Sequence, residues 1–75
     1  MLDTRTYEQV SQRYADAAVR LDLVNRFNYL VGAPSPVVAA QQREFVTGHM
    51  TPFDLEAFVR LYEYTIDAVE SARRP

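Results

Sequence analysis

The chain has 75 residues and a mass of 8.6 kDa, enough for one small domain with one core. Its formal charge of −2 and its pI near 5.2 remove the electrostatic attraction behind most nonspecific binding to nucleic acids and anionic lipids. The sequence contains no cysteine, which excludes disulfides, thiolate nucleophiles, iron–sulfur clusters and cysteine zinc sites.

The composition also bears on cellular location. No apolar run approaches the roughly 18 residues of a membrane-spanning helix. The first residues, MLDTRTYE, are acidic where a signal peptide would carry basic and apolar stretches. We expect residues 1–75 to form a single, soluble and unprocessed cytoplasmic domain that makes no contact with a membrane.

Two turn motifs divide the chain into three predicted helices. The motifs are Gly-Ala-Pro-Ser-Pro at 32–36 and Gly-His-Met-Thr-Pro at 48–52. Each has a glycine suited to the left-handed position after a helix, then Ser or Thr at the N-cap and Pro at the first helical position. The signals predict helices over about 4–31, 36–47 and 52–73. No breaker interrupts them, so we expect the first to run straight past Asp22.

Apolar residues of the first predicted helix occupy two faces. One stripe, with steps of three and four residues, consists of Tyr7, Val10, Tyr14, Ala17 and Leu21. The second set, Leu23, Phe27 and Leu30, lies roughly 200° further round the helix. The second half of this helix therefore needs a cover of its own.

The last predicted helix has the same excess of apolar surface. Its main stripe consists of Leu55, Phe58, Val59, Tyr62, Ile66 and Val69. A second stripe consists of Phe53, Ala57, Leu61, Tyr64 and Ala68. The charged arc spans only about 100°. Because the middle helix is short, it can cap one end of a hairpin but cannot cover both second stripes.

These patterns predict an all-α protein with a long-short-long order of helices. The two long helices form an antiparallel hairpin, the short one caps it, and the surplus apolar surface associates into a dimeric helical bundle. The predicted protein interface consists of Leu23, Phe27, Leu30, Phe53, Leu61 and Tyr64. Tyr29 is a further candidate, because tyrosine suits interfaces. Alternatively, the middle helix folds back more fully and these residues all belong to a monomer core.

The sequence offers no catalytic residue, no cofactor-binding residue and no metal ligand set. His49 is the only histidine, and three or four converging ligands are needed for a metal. A solvated turn histidine is the favoured interpretation. Asn28 has two interpretations: it fixes register in a helix seam, or it faces water.

The predicted function is that of a small acidic protein–protein interaction module, a regulator, inhibitor or adaptor that pairs with itself or with another protein. An alternative is a DNA-binding regulator of helix-turn-helix type that presents Arg13, Arg20, Arg73 and Arg74. Against it, the second helix of such a motif would open with acidic residues.

A further alternative is a small helical enzyme that acts on an anionic metabolite through Arg26. The long-short-long order with Arg26 late in the first helix superficially resembles the all-helical chorismate mutases, which are dimers of such helices. The first helix is shorter than theirs, and the chain has no lysine for the family's cationic pocket. The resemblance is architectural and implies no residue assignment.

Overall fold

The protein is all-helical in the computed structural model, which describes residues 4–74 and the side chains from Tyr7 to Arg74. Helix α1 spans Thr4–Arg13, α2 spans Ala17–Val31 and α3 spans Pro36–Thr47. Helix α4 covers 52–73 as three consecutive parts, Pro52–Phe58, a π-helical segment Val59–Glu63, and Tyr64–Arg73. No strand occurs between positions 4 and 74, which confirms the all-α prediction.

Side-chain caps start the last two helices where the sequence predicts. The Ser35 hydroxyl accepts a hydrogen bond from the Val38 amide at 3.3 Å. The Thr51 hydroxyl accepts from the Asp54 amide, and the Asp54 carboxylate accepts from the Thr51 amide, both at 3.1 Å. This reciprocal capping box satisfies two backbone donors that a helix start leaves free.

The two glycines end their helices in different ways. Gly32 has φ of 116°, in the region that favours glycine, as predicted. Gly48 has φ of −80°, so the left-handed conformation predicted for it is wrong. A Cβ at Gly48 would lie 3.2 Å from the Glu44 carbonyl oxygen, so close approach of backbone is what favours glycine there.

The single helix predicted over 4–31 is wrong, because the chain breaks between α1 and α2. The helix is continuous at Asp22, and the break lies instead at residues 14–16. Asp16 adopts an extended conformation and caps α2 by accepting a hydrogen bond from the Ala18 amide at 2.8 Å. Aspartate competes with helical backbone in this way, and here it acts as an N-cap without any glycine or proline nearby.

Helix α3 does more than cap one end, which corrects the predicted packing. Arg20 of α2 donates to the Val46 carbonyl at 2.7 Å, and Asn28 pairs with Gln42. Residues late in α3 thus meet the start of α2, and the two helices are antiparallel. With 12 residues, α3 is about 18 Å long, enough to return along most of α2.

Because α3 reverses the chain, α4 runs in the same direction as α2, and the predicted antiparallel hairpin of the long segments is wrong. The ring of Tyr14, just before α2, meets the ring of Phe58 early in α4 edge-on. At the other end, Arg73 donates to the Leu30 carbonyl at 3.1 Å. The start of α2 therefore contacts the start of α4, and the end of α2 contacts the end of α4. Helix α1 packs against Pro52–Phe58.

The core lies along the inner side of α4. Its buried apolar residues are Val10, Tyr14, Val24, Val46, Leu55, Phe58, Val59, Tyr62 and Ile66. The π-helical segment contributes two of them, although nothing in the sequence signals it.

The radius of gyration is 12.7 Å, against about 11 Å for a compact chain of this length. The extents of 34 × 32 × 19 Å describe a slab, which leaves helix faces uncovered.

Burial of two core tyrosines predicts a loss of stability at alkaline pH. Burial raises the pKa of Tyr14 and of Tyr62 above the ordinary value of 10.0, and the nearby Glu63 carboxylate raises that of Tyr14 further. Between pH 10 and the native pKa, the unfolded state binds fewer protons than the native state. Since the slope of unfolding free energy with pH follows that difference, stability falls as pH rises above about 10.

Urea unfolding between about pH 8 and 11 measures this slope. The double variant Tyr14→Phe, Tyr62→Phe should flatten it. Tyr29→Phe, at an exposed position, is the matched control and should leave the slope unchanged. Equal slopes for the double variant and the parent would contradict the prediction.

Candidate protein-interaction surface

Large apolar side chains lie exposed along the outer side of α4. Phe53 is 80% exposed, Leu61 52% and Tyr64 49%. The small residues Ala57 and Ala68 between and beyond them are also exposed. We call Phe53, Ala57, Leu61, Tyr64 and Ala68 the α4 face. It coincides with the second stripe that the sequence predicts for this helix.

The α4 face contains a shallow hollow beside Ala57. Phe53, Glu56, Ala57 and Arg60 line this hollow, which has a volume of about 110 Å³. The Arg60 guanidinium pairs with the Glu56 carboxylate at 3.0 Å, one helical turn away. The hollow is therefore an apolar depression with one neutralised ion pair at its rim.

The other three predicted interface residues lie elsewhere. Leu23, Phe27 and Leu30 are half-buried, and the first two pack against the core. The Phe27 ring meets the Tyr62 ring edge-on, with centroids 4.9 Å apart. Because the break at 14–16 restarts the helix with a new rotation, the second stripe of the predicted first helix faces inward. The structure thus brings together only Phe53, Leu61 and Tyr64.

A second exposed apolar patch surrounds the turn between α2 and α3. Tyr29 is 88% exposed and Val37 68%, and Val31 and Val38 are exposed beside them. We call these four residues the α2–α3 elbow. The tyrosine prediction identifies Tyr29, but the three valines were missed. The adjacent pair Val37 and Val38 in the first turn of α3, after Ser35 and Pro36, was the available signal.

The polar cavity of the fold lies where α1, the start of α2 and the α3–α4 turn meet. It has a volume of about 230 Å³, and Tyr7, Ser11, Arg20 and His49 are among its lining residues. No hydrogen bond joins Ser11 to His49 within residues 7–74, and no carboxylate lines the cavity. A nucleophile needs a hydrogen-bonded base with an orienting group, so this arrangement does not form a triad.

Arg20 is buried, at 8% exposure. Its Nε donates to the Val46 carbonyl at 2.7 Å. Its Nη1 donates to the carbonyls of Tyr14 and Ala15 at 2.6 and 3.2 Å. These acceptors lie at the C-terminal ends of α1 and α3, where helices carry free carbonyls and partial negative charge. The side chain therefore connects three helices through its Nε and Nη1 donors.

Three further arginines of the alternative functions also have partners within the chain: Arg13, Arg26 and Arg73. Arg13 pairs with Glu63 at 2.6 Å, and Arg26 pairs with Glu70. Arg73 donates to a backbone carbonyl of α2. With Arg20 buried, the four arginines of the DNA-binding alternative do not form one free cationic surface. Arg26 does not open onto the polar cavity.

In the described part of the chain, no group of three or more His, Cys, Asp or Glu residues is placed to hold a metal ion. No helix among residues 4–74 combines the length and the apolarity required to cross a bilayer.

Asn28 lies in the seam between α2 and α3, where its amide pairs with that of Gln42. Asn28 donates to the Gln42 oxygen at 3.0 Å, and Gln42 donates back at 3.1 Å. Both residues are half-buried. The predicted alternative in which Asn28 faces water is wrong, and the seam it occupies lies within one chain.

A double-mutant cycle measures this pair. Asn28→Ala and Gln42→Ala should each destabilise by about 1 kcal/mol, since each leaves one half-buried amide without its partner. The coupling energy should be at least about 0.5 kcal/mol. Gln41→Ala, at an exposed neighbouring position, is the matched control and should be nearly neutral. Strictly additive single effects would contradict the prediction.

Comparison of the chain with protein-family models, with curated proteins and with solved structures gave no match.

Proposed function

We propose that the chain is a protein–protein interaction module, a small regulator, inhibitor or adaptor that binds a protein through the α4 face. The observation that carries this proposal is the exposure of three large apolar side chains of α4, Phe53, Leu61 and Tyr64. Aromatic and aliphatic anchors of this kind supply most of the binding energy in protein interfaces. A protein bound over these side chains would remove from water the apolar surface that the flat shape of the molecule leaves exposed.

Charge supports the same proposal over the nucleic-acid alternative. The chain carries a net charge of −2, and three of the four arginines of the DNA-binding alternative are buried or have partners within the chain: Arg13, Arg20 and Arg73. A phosphate-binding surface needs several free cations on one face. The α4 face instead presents apolar side chains with the Glu56–Arg60 pair at its rim.

The test compares charge insertions on the two exposed patches. Leu61→Glu and Tyr64→Glu place a carboxylate on the α4 face, and Val37→Glu places the same group on the α2–α3 elbow. All three positions are solvent-exposed, so circular dichroism and urea unfolding at low concentration should change little. Native mass and light scattering then report association of the protein with itself and with chains purified alongside it.

We expect the two α4 variants to weaken association at least about 30-fold, as for loss of a hot-spot contact. Val37→Glu should retain it. Loss of association in Val37→Glu alone would show that the α2–α3 elbow, and not the α4 face, is the binding surface. Unchanged association in all three variants would overturn the proposal.

A further inference from the structure

We infer that the polar cavity between α1, the start of α2 and the α3–α4 turn binds a phosphate group, with Arg20 as the cation of the site. The inference goes beyond the proposed function, because no residue of the α4 face lines this cavity. What carries it is a buried guanidinium that meets no carboxylate among the described residues and borders an open polar space.

The charge of Arg20 has no anionic partner among the described residues. The side chain is only 8% exposed, yet the salt bridges within residues 7–74 involve Arg13, Arg26 and Arg60 instead. Its acceptors are three backbone carbonyls, which carry only partial negative charge. Buried cations are normally paired with an anion, because burial of an unpaired charge is costly. An anion bound in the cavity would supply this partner.

One nitrogen of the Arg20 guanidinium remains available to a ligand. Nε and Nη1 donate to carbonyls at the ends of α1 and α3, whereas Nη2 donates to no acceptor within residues 7–74. No fully buried side-chain nitrogen or oxygen in that range lacks a hydrogen-bond partner, so Nη2 is in contact with solvent. Since Arg20 lines the polar cavity, Nη2 supplies hydrogen-bond donors to a molecule bound there.

The other polar side chains of the cavity are also able to donate hydrogen bonds. Tyr7, Ser11 and His49 line it, and none of the three side chains is hydrogen-bonded to another residue within 7–74. Tyrosine and serine hydroxyls donate, and histidine donates from a ring nitrogen in either protonation state. No carboxylate of the described residues lines the cavity. The polar groups of the cavity therefore favour an anion over a cation.

The arrangement of these donors favours a phosphate group over a carboxylate. Arginine usually binds a carboxylate through two parallel hydrogen bonds from two of its nitrogens. That geometry is not available to Arg20, because Nε and Nη1 already donate to carbonyls. The remaining donors belong to α1, α2 and the α3–α4 turn, so they reach the cavity from separate elements. A phosphate group presents three acceptor oxygens in different directions, whereas a carboxylate presents two in one plane.

The size of the cavity limits the ligand. Its volume is about 230 Å³, whereas one water occupies roughly 30 Å³ of the liquid and pockets for drug-sized molecules begin near 300 Å³. The cavity therefore suits inorganic phosphate or a small phosphate monoester. Because inorganic phosphate is a very small ligand, we expect its dissociation constant to be on the order of 1 mM.

Titration of the full chain with inorganic phosphate, followed by NMR of the backbone amides, tests the site. Ionic strength is held constant with chloride, and methyl phosphate and acetate are titrated in parallel. The phosphate-induced shifts should saturate and should be largest at residues 48–50, which line the cavity. Acetate should bind at least about tenfold more weakly, because it lacks the third acceptor oxygen. Tighter binding of methyl phosphate than of inorganic phosphate would identify a monoester as the ligand.

Variants of α1 separate the cavity from the overall charge, and Arg20 is kept because it also connects three helices. Ser11→Asp places a carboxylate at the cavity and should weaken phosphate binding at least about 30-fold. Gln9→Asp adds the same charge at an exposed position outside the cavity, and it is the matched control that should retain the affinity within about twofold. Tyr7→Phe removes one donor but keeps the ring, so it should weaken binding about tenfold even if Ser11→Asp disturbs the fold.

The outcomes separate this inference from the proposed function. Saturable shifts at residues 48–50 that weaken in Ser11→Asp and Tyr7→Phe and persist in Gln9→Asp support the phosphate site. Shifts that do not saturate by about 20 mM phosphate, or equal affinity in the parent and in both cavity variants, would overturn it. Acetate that binds as tightly as phosphate would also overturn it, because the site would then recognise charge alone. Association through the α4 face should be the same in every one of these variants.

Discussion

Replacement of Phe58 by alanine should destabilise the protein by about 3–5 kcal/mol, the largest effect expected of a single apolar truncation. Phe58 is fully buried, and its ring centroid lies 5.1 Å from that of Tyr14 and 5.3 Å from that of Tyr62. The change removes apolar area and two aromatic contacts, and it leaves a cavity between the α1–α2 junction and α4. At about 0.05–0.15 kcal/mol per residue, the whole chain is stable by only roughly 4–11 kcal/mol.

Urea unfolding followed by circular dichroism measures the effect at a protein concentration low enough to keep the chain monomeric. Phe53→Ala is the matched control, with the same chemical change on the same helix at an exposed position. It should alter the stability of the monomer by no more than about 0.5 kcal/mol. Similar losses for Phe58→Ala and Phe53→Ala would show that burial does not distinguish the two rings.

The parts of the fold that the sequence predicts are those encoded by local chemistry. Ser35 and Thr51 start α3 and α4 where expected, because an N-cap depends on a few adjacent residues. The main stripe of α4 is buried, apart from half-buried Val69, because helical periodicity defines it. The break at 14–16 was missed because Asp16 equally fits an ion pair four residues before Arg20. Tertiary contacts decide between the two arrangements.

The exposure of the six residues predicted to form an interface could be predicted in part for the same reason. Phe53, Leu61 and Tyr64 lie exposed as expected, since α4 is helical over 52–73 with one inner and one outer side. Leu23 and Phe27 pack on the core because the break rotates α2 relative to α1. No local signal specifies that rotation. The direction of α3 along α2 depends likewise on pairing between distant residues.

Arg20→Met should destabilise the protein by about 3 kcal/mol, although it keeps a side chain of similar length. The guanidinium supplies three hydrogen bonds to carbonyls of residues 14, 15 and 46, and each charge-assisted bond contributes roughly 1.5–3 kcal/mol. Methionine recovers some of this through apolar packing but leaves the carbonyls without their donor. The break between α1 and α2 should loosen first, because two of the three acceptors lie there.

Two variants separate the charge from the geometry. Arg20→Lys keeps the cation but lacks the planar fork, so it cannot reach both the break and α3 at once and should lose most of the same stability. Arg13→Ala removes an exposed ion pair with Glu63 and should cost no more than about 1 kcal/mol. Hydrogen exchange at the amides of residues 17–20 should accelerate in Arg20→Met and remain unchanged in Arg13→Ala. If Arg20→Lys matched the parent in stability, positive charge between the C-terminal ends of α1 and α3, rather than the three directed hydrogen bonds, would hold the helices together.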